Sequence, residues 1–280
     1  MAALTPRTHQ TDRSVLVAYD FGAHLTQWRV DGKPVIWCSP AAVLDGSSAM
    51  RGGVPICFPW FAAGRTADRS PSHGLVRTAT WRSADPRDGE VWAWVLTSDD
   101  VADGPMAPHE TPFELRYAVS LTEVDEPALH VALSISNPGS EPLEVEAALH
   151  TYLGVSDVRQ VQVLGLEEAG YLDKVTGGRA VQRGTLRIDG ETDRVYDRSG
   201  VVRVLDSGGD REVHVHPEGA TQTVVWNPGA DKAAHMADVG DGWRSFVCIE
   251  TAATGELGLT ITPGQRREIG CVLQARSPHV

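Results

Sequence analysis

The chain has 280 residues, of which 41% are hydrophobic and 22% charged, an ordinary globular balance with ample material for a core. Its formal net charge of -12 argues against nucleic acid and anionic membrane as partners, since both call for a basic surface. A site for an anionic substrate would have to be built locally, from a few placed arginines. The start of the chain is short and polar and does not read as a signal peptide, and the longest apolar runs, such as residues 91–96, are far too short to span a bilayer. The four cysteines are scattered, without a Cys-x-x-Cys pair, which suits free thiols in a reducing cytosol. The expectation is a soluble, cytoplasmic protein.

Period-two alternation dominates. It predicts strands over residues 91–96, 114–122, 128–136, 141–152, 201–205, 212–216, 222–226, 244–250 and 257–262. Turn residues punctuate them, among them Asn137-Pro138-Gly139, Asn227-Pro228-Gly229 and Pro263-Gly264. Only residues 231–239 look briefly helical. Many short strands with regular turns predict an all-β sandwich or barrel, and no linker or charge block marks a boundary within 1–280, so one domain is expected.

Four features stand out from this pattern. Within 141–152, alternation puts Leu143, Val145, Ala147, Leu149 and Thr151 on one face and Glu144, Glu146, Ala148, His150 and Tyr152 on the other. His150 therefore leaves the main apolar face, either as a solvated structural histidine or as a functional group. Within 244–250, both faces are apolar up to Ile249, and Glu250 closes the strand, at the mouth of a site or emerging into solvent. Residues 51–61, RGGVPICFPWF, place an arginine beside two glycines able to approach a ligand, followed by aromatics suited to an apolar sugar face. Residues 72–77, SHGLVR, add His73 and Arg77. Two arginines in an acidic protein can form a phosphate site or can be held in structural ion pairs. The pair His214 and His216 shares a strand face and has metal-ligand spacing, but lacks an evident third ligand; solvated histidines are the simpler reading, and no metal is expected.

Together the blocks RGGVPICFPWF (51–61), SHGLVR (72–77), ALHTYLGV (148–155), ETDRVY (191–196), VVWNPG (224–229) and FVCIETA (246–252) resemble the aldose 1-epimerase superfamily, specifically its glucose-6-phosphate 1-epimerase branch. The resemblance covers about residues 51–275. It implies a large antiparallel, galactose mutarotase-like β-sandwich with a sugar site on its concave face. It matches His150 to the general acid, Glu250 to the general base, Arg51 and Arg77 to substrate and phosphate grips, Asp193 to a hydroxyl-binding residue and His73 to a site histidine. Ser72 stands where relatives often carry a longer, glutamine-like side chain. The implied activity is anomer interconversion of a hexose 6-phosphate by an isomerase without cofactor, and a monomer is expected. A glycosidase using Glu250 and Asp193, or a non-catalytic sugar-binding protein of the same fold, are the alternatives.

Overall fold

The structure, a computed structural model, describes residues 3–101 and 112–276. Residues 1–2, 102–111 and 277–280, which the 1–280 domain expectation includes, lie outside the described residues. Two large antiparallel sheets carry the architecture, one of twelve strands and one of eight, with a two-stranded ribbon joining Leu143–Val145 to Leu259–Ile261.

The eight-stranded sheet has its longest strands at the centre, where Arg266–Arg276 pairs with Ala128–Ser136 on one side and with Arg211–Glu218 on the other. Alternation sorts its two faces. Val131, Leu133 and Ile135, with Ile269, Cys271 and Leu273 opposite, are fully buried against the other sheet. Burial of each such aliphatic side chain contributes about 1.5–3 kcal/mol. His130, His214 and His216 fall on the opposite, more open face.

The twelve-stranded sheet positions the candidate site. Its central strand, Phe246–Ala253, pairs with Gln222–Asn227 on one side and with both Tyr152–Gly154 and Ala147–Leu149 on the other. Thr192–Tyr196 lies beyond Gln222–Asn227. Register brings Asp193, Trp226, Cys248 and Tyr152 into one cross-strand row, and Val195, Val224 and Glu250 into the next.

Three expectations change. Residues 141–152 do not form one strand but Leu143–Val145, Ala147–Leu149 and, after a break at His150 and Thr151, Tyr152–Gly154. The face assignment survives the break, because Ala148 packs with Cys57, Val224 and Ala252 on the cleft side while Ala147 and Leu149 join the core between the sheets. Glu250 does not close its strand. The strand starts at Phe246, after a 3-10 turn over Gly240–Ser245, and runs three residues past Glu250 to Ala253, all eight residues being buried. The helix near 231–239 is limited to Gly229–Ala233, followed by turns.

Candidate active site

The site is held together by backbone shape before any polar group is placed. Gly52 and Gly53 both have positive φ, and a Cβ on Gly52 would sit 2.5 Å from the Cys38 Cα, one on Gly53 2.4 Å from the Leu25 carbonyl oxygen. These glycines let the backbone pass close to neighbouring strands, not to a ligand. Gly74 does the same for the next block, where a Cβ would lie 2.0 Å from the Phe58 oxygen. Phe58 and Gly74 form a parallel bridge there, which pins residues 72–77 against residues 51–61.

Glu146 then fixes the loop end. Its buried carboxylate accepts the Phe61 and Gly255 backbone N–H groups, which explains one of the carboxylates on the His150 face as structural. Asn227, the polar residue of VVWNPG, donates to the Trp243 and Phe246 carbonyls and accepts from the Gly229 N–H. The turn so shaped carries Lys232 toward the cleft.

All seven residues singled out in the sequence, Arg51, Ser72, His73, Arg77, His150, Asp193 and Glu250, line one cleft of about 370 Å³. His150 and Glu250 face each other with Nε2 and Oε1 3.4 Å apart, and their side chains are only 9% and 1% exposed. Nδ1 of His150 and Oε2 of Glu250 have no hydrogen-bond partner. Unpartnered buried polar atoms are exceptional in a folded protein, and two on facing side chains single out this pair. Aromatic rings fix the imidazole: Tyr152 stacks on it at 4.9 Å with planes 13° apart, while Trp226 and His73 present edges at 5.8 Å and 5.5 Å.

Burial drives the electrostatics. It pushes the Glu250 carboxyl well up, with Asp193 adding to the effect and Lys174 and Arg77 opposing it. It pushes the His150 imidazole well down, helped by His73, Arg77 and Arg51. Asp193 is raised too, chiefly by burial, and Lys174 stands 3.7 Å away. His73 is lowered to about 3 by burial and by the cations around it. Its Nδ1 accepts the Ala62 N–H at 3.3 Å and meets Cys57 Sγ at 3.3 Å, so the proton of the neutral ring sits on Nε2.

The two arginines differ. Arg51 donates Nε to Asp238 at 2.9 Å and Nη1 to the Tyr152 hydroxyl at 3.1 Å. Arg77 donates to the Ser72 carbonyl at 2.7 Å, and among the described residues no carboxylate lies within ion-pair distance of it. Ser72 itself is exposed at the rim.

Phe61 is one of the aromatics that the sequence offered for an apolar sugar face, whereas the lining residues Ala62, Trp226, Lys174 and Lys232 were not singled out. Trp226 stood in a quoted block without a role. The lysines follow a hairpin strand and sit in a short helix, and each is tied to an acid, Lys174 to Asp193 and Lys232 to Glu191 at 2.6 Å. No spacing rule along the chain announces them.

Glu250 has a histidine opposite it at 3.4 Å, which suits proton exchange on one sugar better than cleavage by two carboxylates, while Asp193 lines the same cleft. His214 lies on the other sheet and is hydrogen-bonded to Glu212 at 2.7 Å. Among the described residues, no group of three or more His, Cys, Asp or Glu side chains is arranged to hold a metal ion. No helix among them is long and apolar enough to cross a membrane.

Comparison with known proteins covers almost the whole chain. The family model described as Aldose 1-epimerase matches residues 7–274, well beyond the 51–275 span of the sequence resemblance at its N-terminal end. A protein from Cenchrus ciliaris, provisionally named glucose-6-phosphate 1-epimerase, is 31% identical over 88% of this chain and 77% of its own length. A protein of the same provisional name from Escherichia coli K12 is 32% identical over 84% of this chain and 78% of its own. Among solved structures, a provisionally named mutarotase from Salmonella typhimurium superposes with a TM-score of 0.82 at 26% identity, covering 99% of this chain and 94% of that one. A galactose 1-epimerase from Lactobacillus acidophilus shares the fold with a TM-score of 0.70 at 14% identity, covering 99% and 95%.

Proposed function

The chain belongs to the aldose 1-epimerase family, and from that premise we propose that it interconverts the α and β anomers of a hexose 6-phosphate, with glucose 6-phosphate as the expected substrate. The observation that carries the catalytic part is the buried His150–Glu250 contact at 3.4 Å with an open atom on each side.

The reaction explains why the pair must be so close. The oxygens that exchange protons, O1 and the ring oxygen, are bonded to the same carbon. An acid and a base a few ångströms apart can therefore address both in one pose. In the forward step the O1–H proton goes to the Glu250 carboxylate and O1 becomes a carbonyl oxygen. The C1–ring-oxygen bond breaks with its electron pair going to the ring oxygen, which takes a proton from His150. Rotation about the C1–C2 bond and the reverse transfers give the other anomer. One base and one acid suffice, and positioned groups of this kind contribute about 10²–10⁴-fold.

The environment adds a constraint on the starting state. Burial opposes charge on both partners, raising the carboxyl and lowering the imidazole, so it favours the uncharged pair, with the shared acidic proton on the carboxyl. That proton crosses the 3.4 Å gap to His150 to give the working acid and base, a coupled titration of the pair as a unit.

Asp193 and the Nε2–H of His73 are placed to hold sugar hydroxyls, and Phe61 and Trp226 to cover the apolar face of the ring. Arg51 and Arg77 receive the phosphate by charge-assisted hydrogen bonds, with Ser72 at the rim. Four unpaired cysteines, three of them buried, fit a reducing compartment, and we place the protein in the cytoplasm as a monomer acting on a small sugar phosphate.

Anomer exchange followed by NMR on glucose 6-phosphate and on free glucose tests the reading. Faster exchange on the phosphate ester than on glucose is expected. No acceleration of either sugar refutes the enzyme and leaves the sugar-binding alternative, which saturable binding without turnover would then support.

A further inference from the structure

One contact joins the anion grip to the proton donor. The hydroxyl of Tyr152 receives Nη1 of Arg51, and the ring of the same tyrosine stacks face to face on His150 at 4.9 Å. Tyr152 is 2% exposed, wedged between Trp37 and Trp226, so it cannot swing away from either partner. Asp238 holds the Nε edge of the same guanidinium at 2.9 Å, which leaves Nη2 for an incoming oxyanion. Arg51 thus stands one buried ring away from the imidazole, inside the same cleft.

We propose that an oxyanion seated on Arg51 switches on His150 as a proton donor, so that the substrate's phosphate speeds ring opening and is not only an anchor. This rests on the mutarotase reading above.

The physical chain is short. A positive guanidinium beside a water-poor pocket disfavours a second positive charge on the neighbouring imidazole. Seating a phosphate dianion on the guanidinium cancels that field. The effect is selective for this arginine: Arg51 stands one stacked ring from His150, whereas Arg77 acts on both His150 and Glu250 and Lys174 acts on Glu250. An anion on Arg51 therefore helps the proton move from the Glu250 carboxyl to His150 Nε2 without an equal penalty at the carboxylate. Atoms balance within the pair, since the proton leaves Oε1 and arrives on Nε2. A neutral sugar reaches the same cleft but leaves the Arg51 charge uncompensated, so it meets a weaker acid. Binding energy from a part of the substrate remote from the reacting carbon is then spent on the chemical step.

The test separates the anion from the sugar. D-Xylose, which is glucose without its C6 arm, supplies a reacting ring and leaves room for inorganic phosphite as the detached anion. Anomer exchange is measured by NMR, with the enzyme-free rate at each phosphite concentration subtracted. Saturable activation of the enzyme-catalysed xylose exchange by phosphite is expected, of roughly tenfold, a part of the 10²–10⁴-fold that a positioned acid and base contribute. Arg51→Met removes the activation and Arg51→Lys keeps part of it. Tyr152→Phe, which retains the stacked ring and frees Arg51, weakens it and lowers kcat for glucose 6-phosphate more than it raises KM.

Phosphite that leaves xylose exchange unchanged, or only inhibits it, overturns the inference while glucose 6-phosphate exchange by the same sample still upholds the mutarotase reading. Undiminished activation in Arg51→Met also overturns it. Failure to exchange glucose 6-phosphate brings down the reading and the inference together.

Discussion

Two regions of this molecule hold histidine–glutamate pairs, and they differ in an instructive way. On the open face of the eight-stranded sheet, His130 meets Glu218 at 2.8 Å and His214 meets Glu212 at 2.7 Å. In the cleft of the twelve-stranded sheet, His150 meets Glu250 only at 3.4 Å. Bond length alone would rank the cleft pair last. Burial reverses the ranking. His130 and Glu218 are 37% and 53% exposed, so water reaches both, whereas Glu250 is 1% exposed and keeps an unpartnered oxygen. A short, wet pair is satisfied and quiet; a longer, sealed pair with open atoms is one that a substrate completes.

The sharpest way to break this contrast is to remove charge or ring from the cleft pair. Glu250→Gln and His150→Ala should each lower kcat/KM for anomer exchange by about 10²–10⁴-fold with the fold intact. Glutamine keeps the shape of the carboxyl and cannot take the O1 proton. Exchange kinetics together with circular dichroism check this, and retained activity in either variant refutes its assigned role.

Acid provides the next test, on the stability of the cleft side. His24 lies beneath the Arg51 loop, 1% exposed, with Nε2 2.8 Å from the Gly52 carbonyl oxygen and Nδ1 unpartnered. Burial holds its titration down to about 4, against 6.5 for a free imidazole. Between those values the unfolded chain binds a proton that the native protein refuses, so stability falls as pH falls, by about 1.4 kcal/mol per pH unit. Above 6.5 the contribution is constant. Urea unfolding between pH 7 and 4 should show the slope, and His24→Gln should reduce it by about 1.4 kcal/mol per pH unit, leaving the share of His73 and His150, which burial lowers as well. An unchanged slope in the variant excludes His24 as its source.

Arg77→Ala is expected to raise KM for glucose 6-phosphate by about tenfold, the lower end of a charge-assisted hydrogen bond of roughly 1.5–3 kcal/mol, and to affect free glucose less. Arg77 is the sharper probe of the two arginines because no carboxylate neutralises it. Equal effects on both sugars would argue against phosphate contact.

How much of this was legible in the chain follows from what each feature depends on. The side of the sheet on which His150 falls is a matter of parity, and parity outlasted the break at His150 and Thr151 because Ala148 and Tyr152 stay on the cleft side. Glu250 was found at the right place and given the wrong surroundings. Strand ends and strand middles look alike when a single carboxylate follows an apolar run, and only pairing with Val224 reveals a middle position. The strand Arg266–Arg276 was missed because it opens on the charged run Arg266-Arg267-Glu268 and carries Gly270, features that read as a turn. Lys174 and Lys232 were illegible because their meaning is spatial: one reaches Asp193 and lies 5.2 Å from the Phe61 ring, the other reaches Glu191.

The smallest expected effect decides whether burial is the discriminating variable. Glu212 and His214 have the same two side-chain types as the cleft pair, a shorter bond, and only 12% exposure each. They are therefore the strictest control, since the pair differs from the cleft pair mainly in having its bond satisfied and Arg203 3.1 Å from the same carboxylate. Glu212→Gln and His214→Gln should leave anomer exchange within about twofold and shift unfolding free energy by no more than about 1 kcal/mol, the scale of a solvent-accessible ion pair. Steady-state exchange and urea midpoints on the two single variants and the double variant measure both quantities. A tenfold loss of exchange in either single variant would mean that the eight-stranded sheet communicates with the cleft, and the contrast drawn from local burial would fail. A coupling free energy well above that scale would instead mean that the short, satisfied pair is a structural clamp, with the two sheets dividing stability and chemistry between them.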